Sequence, residues 1–301
     1  MSDPEILALR EIIAKRVRSD DIAQRRRDID ARGLQYKLAA DARVEAVSVG
    51  GVGAEWSATA DADPAKVVLY LHGGGYVIGS LDSHRHLVVE VGRAARARTL
   101  AIDYRMAPEH PFPAAVDDAL AAYRFLLAEG IQPSAITIAG DSAGGGLVVA
   151  AMVAIRDAGL PQPACGWPIS PWVDMEAIGG SMASKAATDP TVQKAGILDM
   201  ARLYLNGADA RSPLAAPLYA DLRGLAPLLI QVGAAETLLD DAIRLAQVAG
   251  AADVAVDLQV WPEMIHVWHI YYPELAAGRR AIIAGGDFAR AMMARGMRAG
   301  F

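Results

Sequence analysis

Along most of this chain, short β-branched apolar runs alternate with longer segments of helical periodicity. From Lys66 onward the pattern predicts strands at Val67–Leu71, Thr99–Asp103, Ala135–Ala139, Ala164–Ile169, Leu228–Val232 and Val254–Val260. Helices are expected at His84–Arg96, Pro113–Glu129, Ser142–Ala158, Asp240–Ala249 and Gly278–Arg295. Such alternation implies an α/β fold: a mainly parallel sheet with helices on both faces and ligands at the carboxyl ends of the strands. Ahead of it, the alternating segments Ala42–Val49 and Val52–Ala58 flank Gly50-Gly51 and read as an antiparallel hairpin. Two stretches break the rhythm. In residues 1–40, Ile6, Leu9, Ile12, Ile13 and Val17 recur at helical spacing, followed by a charged segment whose Arg25-Arg26-Arg27 reads as a solvated helix face. Between Ile169 and Leu228 lie nearly sixty residues where a simple crossover needs about a dozen. The excess is an insertion on the strand-end face.

Composition bounds the function. The 301 residues suffice for one large α/β domain with an insertion or for two ordinary domains, and 53% of them are hydrophobic, so a sizeable core is expected. A net charge of −6 argues against a nucleic-acid partner. The one cysteine, Cys165, leaves no intramolecular disulfide and no Cys-based metal cage; in its apolar run it reads as a buried structural residue. The N-terminus lacks a basic start followed by an apolar core, and no uncharged run reaches membrane-spanning length, so a cytoplasmic protein without stable membrane insertion is expected.

The chemistry concentrates at the carboxyl ends of the expected strands. Gly140-Asp141-Ser142-Ala143-Gly144 fits G-x-S-x-G between a strand and a helix, the setting of a nucleophile elbow. Glycines flank the serine because a Cβ on either side would collide with the adjoining strand and helix. After the first strand of the α/β series, His72-Gly73-Gly74-Gly75-Tyr76 has neither phosphate-loop spacing and instead fits the HGGG pattern of an oxyanion hole. A base and an acid should follow in the order Ser, Asp or Glu, His. Only His266 and His269 lie after the elbow; His266 directly follows the last expected strand, and His269 reads as packing or support behind the site. Glu236, just past the penultimate strand, is the candidate acid, with Asp240 and Asp241 as competitors whose ordinary role would be capping the next helix.

Taken together, HGGGY (72–76), DYRMAPEHPFPAA (103–115), GDSAGG (140–145), SPWVD (170–174) and the late MIHVWH (264–269) resemble the bacterial hormone-sensitive lipase-like esterases of the α/β-hydrolase superfamily. The resemblance runs from about residue 40 to the C-terminus. It implies an eight-stranded sheet formed by residues 41–171 and 217–301, under a mobile helical cap made of residues 1–40 and the insertion 172–216. It assigns Ser142 as nucleophile, Glu236 as acid and His266 as base, with oxyanion donors at the amides of Gly74, Gly75 and Ala143. Many members carry Asp-Pro-Leu at the acid, where this chain has Glu236-Thr-Leu. Tyr76 and Trp172 are candidate substrate contacts, and Arg105 and Glu109 are expected to brace the glycine loop. The implied activity is hydrolysis of short- to medium-chain carboxylic esters through an acyl-enzyme on Ser142, with no metal or organic cofactor. Because MIHVWH looks like members named monoterpene ε-lactone hydrolases, lactones stay among the candidate substrates. A non-catalytic ligand-binding relative is the other alternative, opposed by the presence of Ser142, His266 and an acid. An exposed last strand would also suit a homodimer.

Overall fold

The computed structural model describes residues 3–298. Its sheet contains β1 (Arg43–Val49), β2 (Val52–Ala58), β3 (Asp63–Leu71), β4 (Ala97–Ile102), β5 (Ile136–Asp141), β6 (Cys165–Ile169), β7 (Leu228–Gly233) and β8 (Val256–Trp261). The spatial order is β1-β2-β4-β3-β5-β6-β7-β8; β1 and β2 pair antiparallel, β2 joins β4 antiparallel, and all later pairs are parallel. The hairpin is therefore present, with Val49 opposite Val52 across Gly50-Gly51.

Helices α1 (Pro4–Ala14) and α2 (Ile22–Gly33) precede the sheet, and α3 (Leu81–Ala95), α4 (Ala114–Ala128) and α5 (Ala143–Asp157) alternate with its strands. The insertion contributes α6 (Ser181–Ser184) and α7 (Lys194–Leu205); α8 (Leu239–Ala251) and α9 (Ala276–Arg298) complete the chain. Side-chain alternation sets the layers. From β3, Val67, Leu69 and Leu71 enter a core with Val116 of α4, Leu147 of α5 and Leu245 of α8. Val68 and Tyr70 face the opposite way, against Leu87 and Val91 of α3 and Ile282 and Met293 of α9. Cys165 is buried in this second layer, and burial pushes its thiol up to about 12, in keeping with a structural role.

The two N-terminal helices pack where the pattern only partly foretold. Ile6, Leu9 and Ile13 of α1 are buried against Met264, Ile265, Trp268 and Leu275, so α1 seats on the segment that carries His266. Ile12 and Val17 complete the periodic set but stand exposed, because a short helix over a single surface buries one narrow stripe. The arginine run is also divided rather than uniformly solvated. Arg26 donates to both carboxylate oxygens of Glu109, each at 2.8 Å, and to the carbonyls of Val77 and Ala107, each at 2.9 Å. It ties α2 to the exit of the glycine loop and pulls the Glu109 carboxyl down to about 2. Arg105, expected to brace that loop, instead pairs with Asp118 of α4 at 2.7 Å; its guanidinium leaves the strand end in the direction of the helix.

Removing the Arg26 guanidinium strands two partly buried carbonyls, at a cost of about 1–3 kcal/mol each at most. Arg26→Ala should therefore speed proteolytic nicking between residues 15 and 36 while lowering the melting temperature of the sheet core by only a few degrees. Limited proteolysis beside calorimetry checks this; a nicking rate equal to wild type would show that other contacts hold α2.

Candidate active site

The turn between β5 and α5 holds Ser142 at φ 55° and ψ −120°, a conformation an L-residue adopts only when its surroundings enforce it. Those surroundings are explicit. The Ser142 N–H donates to the Ile169 carbonyl at 2.8 Å, and the Ser142 carbonyl accepts from Trp172 at 2.9 Å and Gly146 at 3.0 Å. Because Ser142 cannot be helical at positive φ, α5 begins at Ala143, one residue later than its periodicity suggests. The side chain stands at the N-terminal end of a fifteen-residue helix, where the dipole and unpaired amides favour negative charge.

Ser142, His266, Gly74, Gly75, Trp172 and Met200 all line one cavity of about 290 Å³. Gly74 (φ 122°) and Gly75 (φ 66°) use backbone conformations that other residues rarely adopt, and a Cβ on Gly75 would run into the Met200 sulfur of α7. Among the described residues neither Gly74 nor Gly75 donates its amide to a protein group. Ala143 is buried at the first position of α5, whose amide has no intrahelical acceptor. Trp172 is held by its indole N–H, which donates to the Asp174 carbonyl at 2.9 Å. Tyr76, by contrast, is a buried ring behind the lining: it stacks on Tyr204 of α7 at 3.8 Å and lies 6.0 Å from Trp172, so it backs the wall that a ligand would meet.

The base and acid candidates are in contact. His266 Nδ1 donates to Glu236 Oε2 at 2.5 Å. The other oxygen, Glu236 Oε1, accepts from the Gly233 amide at 2.6 Å and the Ser170 hydroxyl at 2.8 Å, while Ser170 Oγ in turn accepts from the Val267 amide at 3.1 Å. Ser170 thus fixes the acid and the base segment together. It is the residue that inspection of the sequence passed over: SPWVD stood out as a motif, yet nothing local to it announces a partner 66 residues away. Burial disfavours the imidazolium of His266, but the hydrogen bond and charge of Glu236 outweigh it, and the ring titrates above its ordinary 6.5.

Asp240 and Asp241 go elsewhere. Asp240 accepts from the Ser181 amide at 2.9 Å, and fully buried Asp241 accepts from the amides of Val173 and Asp174, each at 3.0 Å. Neither caps α8 with its side chain; both tie the insertion to it, because the first turn of α8 faces backbone amides of the 173–181 segment. His269 packs behind the site as expected, its Nε2 3.0 Å from Gln231 Oε1, and burial pushes it down to about 3, so it is neutral. Another support escaped the sequence reading. Asp141 accepts from Tyr70 Oη at 2.9 Å and the Gly73 amide at 3.1 Å, and its second oxygen lies 3.3 Å from His84 Nε2.

With this geometry in view, the chain can be set beside known proteins. A protein-family profile with an alpha/beta hydrolase fold matches residues 68–270. The chain belongs to that family. An acetyl-hydrolase from Streptomyces hygroscopicus is 46% identical over 99% of this chain and 100% of its own length. A carboxylesterase of Mycobacterium tuberculosis is 35% identical over 68% of this chain and 66% of its own. A solved esterase of the bacterial hormone-sensitive lipase family superimposes with a TM-score of 0.95 at 48% identity, covering 97% of this chain and 99% of that one. Another, EstE5 soaked with p-nitrophenyl butyrate, gives 0.94 at 47% identity, covering 97% and 100%. With these relatives the hydrolase is a carboxylic ester hydrolase of the bacterial hormone-sensitive lipase type. No helix among its described residues is long and apolar enough to cross a membrane.

Two outcomes follow from the Glu236 contacts. Ser170→Ala leaves Glu236 Oε1 with the Gly233 amide alone and the Val267 amide unpaired, about 1–3 kcal/mol, and should lower kcat about ten- to a hundred-fold with an unchanged fold; a turnover equal to wild type would mean that the Gly233 amide alone holds Glu236. A general base must be neutral, so activity should rise with pH as His266 loses its proton. In Glu236→Gln only the weaker charges of Asp189 and Asp141 still oppose burial of the ring, so the acid limb of kcat/KM should move to lower pH as the rate falls. A limb that stays put, in profiles from about pH 5 to 9, would detach Glu236 from the titration.

Proposed function

We propose that Ser142, His266 and Glu236 work as nucleophile, base and acid on short- to medium-chain carboxylic esters. The observation that carries this reading is the buried hydrogen-bond path from Ser170 and Gly233 through Glu236 to His266, ending on the cavity that Ser142 also lines. Ser142 Oγ attacks the ester carbonyl while His266 takes its proton, and Glu236 holds the ring tautomer and stabilises the imidazolium. The amides of Gly74, Gly75 and Ala143 receive the oxyanion, each lowering the barrier by about 3 kcal/mol. His266 then protonates the leaving alcohol, and water repeats the cycle on the acyl-enzyme. A cavity of about 290 Å³ is at the small end for ligand sites, which favours short acyl groups. The relatives' names speak for open-chain esters ahead of lactones, which would pass through the same intermediate.

Residues 1–40 and 172–216 act in this proposal as the cap. Support comes from the lining: Ile29 and Arg32 of α2, and Ile197 and Met200 of α7, face the same cavity as Ser142. Pairing of two copies through β8 is the associated homodimer; β8 ends the sheet order, with Val260 43% exposed.

Ser142→Ala should lower turnover of p-nitrophenyl butyrate by roughly four to six powers of ten at unchanged thermal stability. Unchanged turnover would sink the reading. Glu236→Gln should cost up to about ten thousand-fold, whereas Asp240→Asn, which keeps an acceptor for Ser181, should cost about 1 kcal/mol of stability or less and little activity. The reverse ranking in paired rate and melting measurements would move the acid to Asp240.

A further inference from the structure

The lining of the cavity that holds Ser142 carries four arginines that ester hydrolysis does not require. Arg16 and Arg18, in the link after α1, and Arg25 and Arg32, on α2, all line it. Arg25 and Arg32 are seven residues apart, two helical turns, so they share the face that also presents Asp28 and Ile29 to the cavity. Arg16 and Arg18 are partly engaged: Arg16 donates to Tyr271 Oη at 2.9 Å, and Arg18 reaches the carbonyls of Pro190 and Thr191. Among the described residues, Arg25 and Arg32 make no salt bridge and no side-chain hydrogen bond.

This is an expensive arrangement for a protein of net charge −6. Both guanidiniums are half-buried, and each is held below its ordinary pKa, first by burial and next by a neighbouring arginine: Arg18 beside Arg25, and Arg16 beside Arg32. The carboxylates that temper them do not close the account. Asp28 faces the same space but accepts from Gln24 at 2.7 Å, and Asp20 and Asp199 act on Arg25 without forming a salt bridge to it. An ordinary surface would separate four arginines or pair them. Here all four line a space shared with Ser142, and a planar fork is the donor best matched to a carboxylate or phosphate-type oxyanion.

We infer that the preferred substrate is an ester carrying an oxyanion, which Arg25 and Arg32 hold in the cavity that Ser142 also lines, with Arg16 and Arg18 adding field. The inference rests on the esterase reading above and narrows its substrate class. Hydrolysis itself is unaltered: water is added across the acyl–oxygen bond, and the remote anion is carried through unchanged. Arg25 and Arg32 are specificity residues here, acting on ground-state and transition-state binding alike, so their removal should appear in KM more than in kcat.

The test compares monomethyl esters of the dicarboxylic acids from glutaric to sebacic with the corresponding dimethyl esters, and includes methyl 5-phosphonopentanoate to separate a carboxylate site from a phosphate-type one. At low salt, one chain length or the phosphonate should be favoured about ten-fold or more in kcat/KM over its neutral counterpart, with the preference shrinking as potassium chloride is added. In Arg25→Gln/Arg32→Gln the loss on the anionic ester should exceed the loss on the diester about ten-fold, and the double lysine variant should recover part of it. Equal turnover of charged and neutral esters along the whole series, or parallel losses in the variant, overturns the inference. Calorimetric titration of Ser142→Ala with the same monoesters keeps the two readings apart: arginine-dependent binding supports the oxyanion site even if wild type hydrolyses nothing. Absence of that binding overturns it even if neutral esters are hydrolysed well.

Discussion

The candidate site depends on how closely the end of β3 approaches the turn after β5. The strands are parallel neighbours with Leu71 opposite Gly140, so the glycine loop leaves one strand beside the serine turn leaving the other. A Cβ on Gly140 or on Gly144 would strike the Leu71 carbonyl, and one on Gly73 would strike Asp141. Steric contact fixes the separation, and Asp141 fixes the orientation by accepting from the Gly73 amide and Tyr70. Burial works against a charge there, yet the proximity of His84 and the donor from Tyr70 hold the Asp141 carboxyl below its usual range. The residue immediately before Ser142 is thus the post to which the glycine loop is fastened. Ser142 and the amides of Gly74 and Gly75 belong to one rigid frame, as electrostatic preorganisation demands.

Elements whose character is local were legible in the sequence. The strand and helix series, the hairpin, the serine turn and the glycine loop each announce themselves within ten or so residues, while their boundaries shift: β3 starts at Asp63 rather than Val67, α3 at Leu81 rather than His84, and α5 one residue late because of the backbone at Ser142. The residue that meets His266 was legible by position, since Glu236 stands just past the end of β7. Partnerships that cross the fold were not. Ser170 with Glu236, Asp141 with Gly73 and Arg26 with Glu109 each join segments dozens of residues apart, and no periodicity encodes such a pairing. Arg105 was expected to brace the glycine loop, and its partner is instead Asp118 on α4.

Two buried carboxyl groups five residues apart show how partners assign roles. Asp241 accepts only from backbone amides, lies near Asp174, and burial pushes it up to about 8, so near neutral pH it is chiefly an uncharged tie between α8 and the insertion. Glu236 has an amide and a hydroxyl on one oxygen and an ionisable ring on the other. Two oriented donors of this kind are worth about 1.5–3 kcal/mol each to a charged acceptor, enough to hold one oxygen while the other answers to His266. The aspartate would cost as much to bury, but it faces nothing whose charge changes during a turnover.

The same logic of partners explains the arginine triplet at the base of α2. Successive residues on a helix point about 100° apart, so three adjacent arginines cannot share one environment. Arg26 points at the exit of the glycine loop and is fully engaged there; Arg27 turns to Gln24 and Asp21 on the outer surface. Arg25 takes the remaining direction, into the cavity, and two turns later Arg32 repeats it. The contacts of Arg26 are therefore what aim Arg25, because a helix pinned on one face has no freedom to rotate the other. With α1 seated on the segment of His266 and α2 pinned beside that of Gly74 and Gly75, the N-terminal helices take their position from the loops of the candidate site. Whatever charge they present to a substrate is held in register with the nucleophile.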